Sequence, residues 1–274
     1  MNRRSIGIAV AIVCLIGAIA LTAWLMRPAE RRTIVVPVDP NAGWEAAYAK
    51  ATSNLGPMEQ TTLDRQKFVD AYPKSPGTLV VLNQLGDLYA RQNRFAESIR
   101  AFEAARQLAR DHVPSQPGLH VAPGVLDVNL AQTYRMSKRF DEAQKLLIEV
   151  MRRSLPATAD VDTYVPQVFL APLEMADVCH DRGEERDADQ LRKETAERAM
   201  VLAKRHPQAD WIPSYAAWAY YQRINARLDR TPPDLAEARA LAEEFNQRMP
   251  NYAGNLGYPS MIQAVSAVEA RPKP

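Results

Sequence analysis

From residue 44 onward, apolar side chains along this 274-residue chain recur every three or four positions, with little strict alternation. That period predicts amphipathic α-helices and no sheet. It is sharpest over residues 79–111. Leu82, Leu85, Gly86 and Tyr89 fall on one helical face, a break follows at 92–94, and Phe95, Ser98, Ile99, Phe102, Ala105 and Leu108 form the matching face of a second helix. Gly86 leaves room for the second helix to approach. Small Ser98 and Ala105 sit among larger neighbours such as Phe102, the alternation by which close-packed interiors are filled.

The pattern repeats, with Leu85-Gly86, Leu130-Ala131 and Met175-Ala176 standing 45 residues apart each time. In the second unit Leu130, Ala131, Tyr134, Phe140, Ala143, Leu147 and Val150 keep the order. The third keeps part of it in Met175, Ala176, Cys179, Gly183 and Ala188, with Cys179 at the Tyr position as a core residue. In residues 211–250, Leu235, Ala238, Ala242 and Phe245 suggest another second helix, with Pro232 or Pro233 at its start. Residues 41–72 read as a degenerate first hairpin and 257–270 as a capping helix, because the ends of a stack must cover their apolar faces. Pro and Gly punctuate loops at 112–124 and 155–167.

These positions resemble the tetratricopeptide repeat family, a helix-turn-helix unit of about 34 residues. Leu85, Gly86, Tyr89, Phe102 and Ala105 fall on the family's Leu, Gly, Tyr, Phe and Ala positions, while Leu82 stands for its common Trp and Ser98 for an Ala. A repeat of about 40 to 47 residues also fits the HEAT class, but the aromatic placement favours the first family. The stretch "FVDAYPKSP", residues 68–76, is similar to helix-end turns of bacterial cell-envelope proteins that carry such repeats. The resemblance implies an all-α fold over residues 41–274, with hairpins stacked into a right-handed superhelical solenoid. It implies further that the first helix of each pair lines a groove for a protein or peptide partner. Asn83, Asp87 and Arg91 in one unit and Val128, Gln132 and Arg135 in the next are the candidate groove residues. Leu85, Gly86, Tyr89, Phe102, Ala105, Leu130, Ala131, Tyr134 and Ala143 are the candidate packing residues. One known use of such grooves clamps a chaperone's terminal carboxylate; Leu170 and Glu174 stand where cations would be needed, which argues against it.

The N-terminus changes the picture. Residues 6–26, "IGIAVAIVCLIGAIALTAWLM", carry no charge, and at about 1.5 Å per residue 21 residues span about 31 Å. A transmembrane signal anchor is the expectation, behind a five-residue basic tail and before a linker at 27–40 punctuated by Pro28, Pro37 and Pro40. A cleavable signal peptide is the alternative, with Ala18-Ile19-Ala20 as its site. Arg3 and Arg4 face Arg27, Arg31 and Arg32 across the run, so the charge bias nearly cancels; the short basic tail favours a bacterial inner-membrane protein with its C-terminal domain periplasmic. Gly7, Ala11, Cys14 and Ala18 fall at helical spacing as a possible homodimer face.

Charge narrows the function classes. The chain holds 34 Lys and Arg against 32 Asp and Glu; residues 1–32 hold five and one of these, leaving 29 against 31. A near-neutral domain lacks the basic face that displaces counterions from phosphates, so nucleic acid is not an expected partner. Cys14 and Cys179 are too far apart in the expected topology to bridge. No hydrolase elbow, phosphate loop, H-E-x-x-H or C-x-x-C motif occurs, and Asp177, Cys179 and His180 of "DVCHD" point along different helical faces. Neither enzyme, cofactor nor metal is expected. Trp211, Tyr215 and Trp218, with Tyr220 and Tyr221 beside them, read as core, or as a binding anchor where exposed. Two functions remain: an envelope interaction scaffold, or a factor holding exported unfolded chains near a membrane assembly.

Overall fold

The computed structural model describes residues 43–53, 56–111, 121–154, 164–230, 232–250 and 258–269. The chain divides into two units, Met1–Ala42 and Gly43–Pro274, and the first lies outside the described residues. Among its described residues the second holds eleven helices: α1 (Gly43–Ser53), α2 (Met58–Ala71), α3 (Thr78–Arg91), α4 (Phe95–Asp111), α5 (Pro123–Met136), α6 (Phe140–Met151), α7 (Ala171–Asp181), α8 (Glu185–Arg205), α9 (Ile212–Leu228), α10 (Leu235–Arg248) and α11 (Tyr258–Glu269). A π-helical turn, Pro166–Leu170, leads into α7. Among the described residues there is no strand.

The helices pair in chain order, and each hairpin packs on the next. Phe102 of α4 shares a buried cluster with Leu130 of α5, Leu147 of α6, Met175 of α7 and Ala188 of α8, so one apolar seam runs through three hairpins. A larger cluster joins Phe169, Tyr215, Tyr220, Leu241, Phe245 and, from α11, Met261 and Val265. Gly86 leaves room for the Phe102 ring of α4 against α3: a Cβ there would lie 2.5 Å from that ring.

The turns within hairpins repeat atom for atom. Asn93, Lys138 and Gly183, again 45 residues apart, adopt φ of 59°, 62° and 82°. In each, the amide after the left-handed residue donates five positions back, Arg94 to Tyr89, Arg139 to Tyr134 and Glu184 to Cys179, all at 2.8 Å. Left-handed residue, long bond and the shorter inner bond from Asn93, Lys138 or Gly183 form a Schellman cap, which satisfies carbonyls the helix end would leave bare. In the first two turns the arginine also stacks over the tyrosine, Arg94 on Tyr89 and Arg139 on Tyr134, with guanidinium carbon to ring centroid 4.5 Å. The third turn changes both partners together: Cys179 replaces Tyr and Glu184 replaces Arg. Burial, reinforced by Glu184, pushes the Cys179 thiol up to about 11, so it stays protonated and inert.

Two expectations are corrected. The described fold does not include the transmembrane helix expected before the solenoid: no helix among the described residues is long and apolar enough to cross a membrane, and residues 6–26 lie outside them. The longest helix, α8, has the length, 21 residues, but carries Glu185, Arg186, Asp187 and Asp189 in its first five positions. Nor do Pro232 or Pro233 open α10. Asp234 is its N-cap, and its carboxylate accepts from the Glu237 amide at 3.0 Å, an acceptor role that no proline side chain can fill.

Candidate functional site

The first helices α3, α5, α7 and α9 carry polar side chains that tie each unit to the next. Asn129 of α5 donates through Nδ2 to Asn83 Oδ1 of α3 at 2.9 Å. Arg135, one and a half turns further along α5, reaches two residues of α7: Glu174 at 2.6 Å and Asp181 at 2.8 Å. Gln222 of α9 donates to Asp177 of α7 at 3.0 Å, and Arg192 of α8 meets the same Asp177 oxygen at 3.0 Å. Below these contacts Ser98 donates to the Gly86 carbonyl at 2.7 Å and lies 3.0 Å from the Thr133 hydroxyl, joining α3, α4 and α5 through buried hydroxyls.

The electrostatics follow from burial. Burial pushes the Glu174 carboxyl up to about 7, against the pull of Arg135 in the opposite direction. For Arg135 itself burial lowers the affinity for its proton, but the surrounding Glu174 and Asp177 charges more than restore it, so the guanidinium stays charged. Asp189 shows the opposite balance to Glu174. Burial would raise its pKa, yet bonds from Arg223 and Arg227 hold it below the usual carboxylate range.

The six candidate groove residues therefore have different fates. Asn83 and Arg135 spend their polar atoms on neighbouring units. Asp87 and Arg91 pair with each other across one helical turn at 2.8 Å, on half-exposed side chains. Gln132 is exposed. Val128 is 7% exposed and belongs to the core cluster around Phe102, which leaves almost no surface for a partner. Eight of the nine packing residues, Leu85, Gly86, Tyr89, Phe102, Ala105, Leu130, Ala131 and Ala143, are buried, and Tyr134 is half-buried under Arg139. Asp177, Cys179 and His180 diverge: Asp177 meets Arg192, Cys179 enters the core, and His180 Nδ1 lies 2.6 Å from Glu185.

The aromatic stretch of α9 divides in two. Tyr215 and Tyr220 are buried, Tyr215 stacked on Phe169 with centroids 4.6 Å apart and Tyr220 donating to Glu244 at 2.7 Å. Trp218 and Tyr221 stay half-buried and stack on each other at 5.9 Å and 24°, one helical turn from Gln222 and its bond to Asp177. The carboxylate network of Glu174, Asp177 and Asp181 was not apparent as a unit in the sequence. Its signal was the placement of three acids on one apolar helix within eight positions.

Helical hairpins that repeat along the chain, each burying its face on the next, define a helical-repeat protein. Residues 80–112 and 128–154 each match the tetratricopeptide repeat, so the chain carries tetratricopeptide repeats and has the architecture of a protein–protein interaction scaffold. Among solved structures it is similar to the crystal structure of BtubC (BKLC) from P. vanneervenii, at 15% identity and a TM-score of 0.45, over 85% of this chain and 95% of that one. No curated protein matches it.

Proposed function

We propose that this is a non-enzymatic scaffold that binds a peptide or protein partner along the face of its first helices, with Trp218 and Tyr221 as the anchoring pair. The observation that carries this reading is the half-exposed stack of Trp218 on Tyr221, beside a polar face whose other groups are largely engaged between units. Half-exposed aromatics on a rigid element supply large contact area at little entropic cost, which is why they dominate binding energy. Gln132, Asp87 and Arg91 offer the remaining polar contacts. An extracytoplasmic location is part of the proposal and draws on the uncharged run at 6–26 alone; alkaline phosphatase fused after Pro274 should be active, and an inactive fusion would remove that part.

The test places a photo-crosslinking residue at Gln132, and separately at Lys193 on the second helix α8. A single saturable adduct is expected from position 132 and none from 193, and Trp218→Ala should abolish the first with the helical circular dichroism intact. Equal labelling of many unfolded polypeptides from both positions would replace the scaffold with a holding factor.

A further inference from the structure

We propose that a cleft between the second and third repeats binds an amphiphilic monoanion, a carboxylate carried on an apolar body. The cleft is shallow and open to solvent, offers about 580 Å³, and is lined by Met151 and Arg153 at the end of α6, Tyr164, Gln167 and Val168 around the π turn, and Arg198 of α8. That is within the size range of small-molecule sites, which pair an apolar lining with a few placed polar groups. It shares no residue with the first-helix face, so it stands independently of the partner proposed there.

Arg153 and Arg198 are the charged groups among the described residues of its lining. Arg153 Nη2 bonds to Asp127 Oδ2, while Arg106 Nε holds the other oxygen of the same carboxylate at 2.5 Å. Asp127 is buried, its side chain only 3% exposed, and two guanidinium ions share its single charge, so one positive charge is left over beside the cavity. Arg198 meets Glu194 at 3.5 Å on an exposed surface, a pairing of little strength that a ligand can replace. A guanidinium fork matches a carboxylate in geometry as well as charge, which selects an anion with two coplanar oxygens.

The shape is held by a side-chain tie between the turn and the helix end. Gln167 donates to the Met151 carbonyl at 2.8 Å and the Arg153 carbonyl at 2.7 Å, pinning the π turn to the end of α6. On its far side the turn presses on α5, where a Cβ at Gly124 would lie 2.7 Å from Pro166 Cβ. π turns are rare and concentrate at functional sites. This one places Gln167 and Val168 in the wall of the cleft. Met151, Tyr164 and Val168, all half-buried, supply the apolar contact.

Octanoate titrated calorimetrically into the full chain tests the assignment, with octylamine, butyrate and inorganic phosphate as comparisons. One saturable site for octanoate is expected, weakening roughly fourfold for each methylene removed, with no binding of octylamine. Arg198→Gln, a change at an exposed position, should weaken octanoate about tenfold, and Arg198→Lys should fall between. Absence of saturable binding overturns the proposal. So does octanoate binding that Arg198→Gln leaves unchanged, which would put the ligand elsewhere on the chain. Phosphate binding as tightly as octanoate would mark a bare anion site and overturn the amphiphile.

Discussion

Replacing Gly86 by Ala sets two effects of known sign against each other. Alanine in a helix interior is favoured over glycine by about 1 kcal/mol, so an unhindered site would gain stability. Here the new Cβ would lie 2.5, 2.6 and 2.6 Å from three atoms of the Phe102 ring. Carbon atoms rest at about 3.5 to 4.0 Å, so each contact overlaps by about 1 Å. Phe102 is 2% exposed and wedged into the seam shared by three hairpins, leaving it nowhere to turn. Overpacking of that kind costs about 1 to 3 kcal/mol, so Gly86→Ala should lose about 1 kcal/mol net, and Gly86→Leu about 3 or more. Urea unfolding followed by helical circular dichroism measures both. Phe102→Leu removes the obstructing ring. Introduced alone it should cost about 1 to 2 kcal/mol, and in its presence Gly86→Ala should become neutral or stabilising, a coupling of about 1 to 2 kcal/mol. Gly86→Ala as stable as the parent, or strict additivity with Phe102→Leu, would refute the placement of Gly86 as the point where α3 and α4 meet.

The turns and the buried acid supply two more tests. Lys138 holds φ 62° without glycine's freedom, so Lys138→Gly should gain about 0.5 to 1 kcal/mol, whereas Gly183→Ala, with nothing within 4 Å of the new Cβ, should lose about 1 kcal/mol from φ alone. Thermal melts decide it, and a neutral Gly183→Ala would count against the left-handed turn. Glu174, with its folded pKa raised to about 7 by burial from an unfolded value near 4.3, contributes stability that is whole below about pH 4.3 and lost as pH rises through 7. Melting temperature should therefore fall across that window, and Glu174→Gln should remove this part of the slope. An identical profile in the variant would show that Glu174 does not titrate there.

The repeat was legible because it rests on local chemistry. Leu85, Leu130 and Met175 announce the same apolar step every 45 residues, and the break at 92–94 coincides with a Schellman cap whose residue types, Asn93 and Gly183, tolerate positive φ. Lys138 sits in the same conformation without any such signature, since the fold around it imposes the turn. The partner surface was less legible because the helical period places a residue on a face without saying what lies opposite. Arg135 reads as a free cation in sequence, yet Glu174 and Asp181, 39 and 46 positions away, consume it. Val128 differs from Gln132 by one turn, and only packing against the next hairpin decides that the first is core and the second surface. The halves of the α9 aromatic stretch separate for the same reason: Phe169 and Phe245 cover Tyr215 and Tyr220, while Trp218 and Tyr221 stack on each other at the edge of the same core, half-buried.

The polar ties between first helices constrain the binding proposed for this face. Asn83 to Asn129, Arg135 to Glu174 and Gln222 to Asp177 fix the spacing of successive units before any partner arrives. A partner that broke into the Arg135–Glu174 pair would give up a buried guanidinium–carboxylate bond and leave Arg135 to Asp181, a loss that a new surface contact returns only in part. In the proposed mode, binding is therefore directed to groups outside the ties: Gln132, the Asp87–Arg91 pair, and above all the Trp218–Tyr221 stack. Because the face is already ordered, little of the contact energy is lost to arranging it, the condition under which a small number of exposed side chains is enough for recognition. On that proposal, specificity rests on which segment covers the Trp218–Tyr221 stack while its polar groups meet Gln132, with the intervening ties setting the distance between those two points.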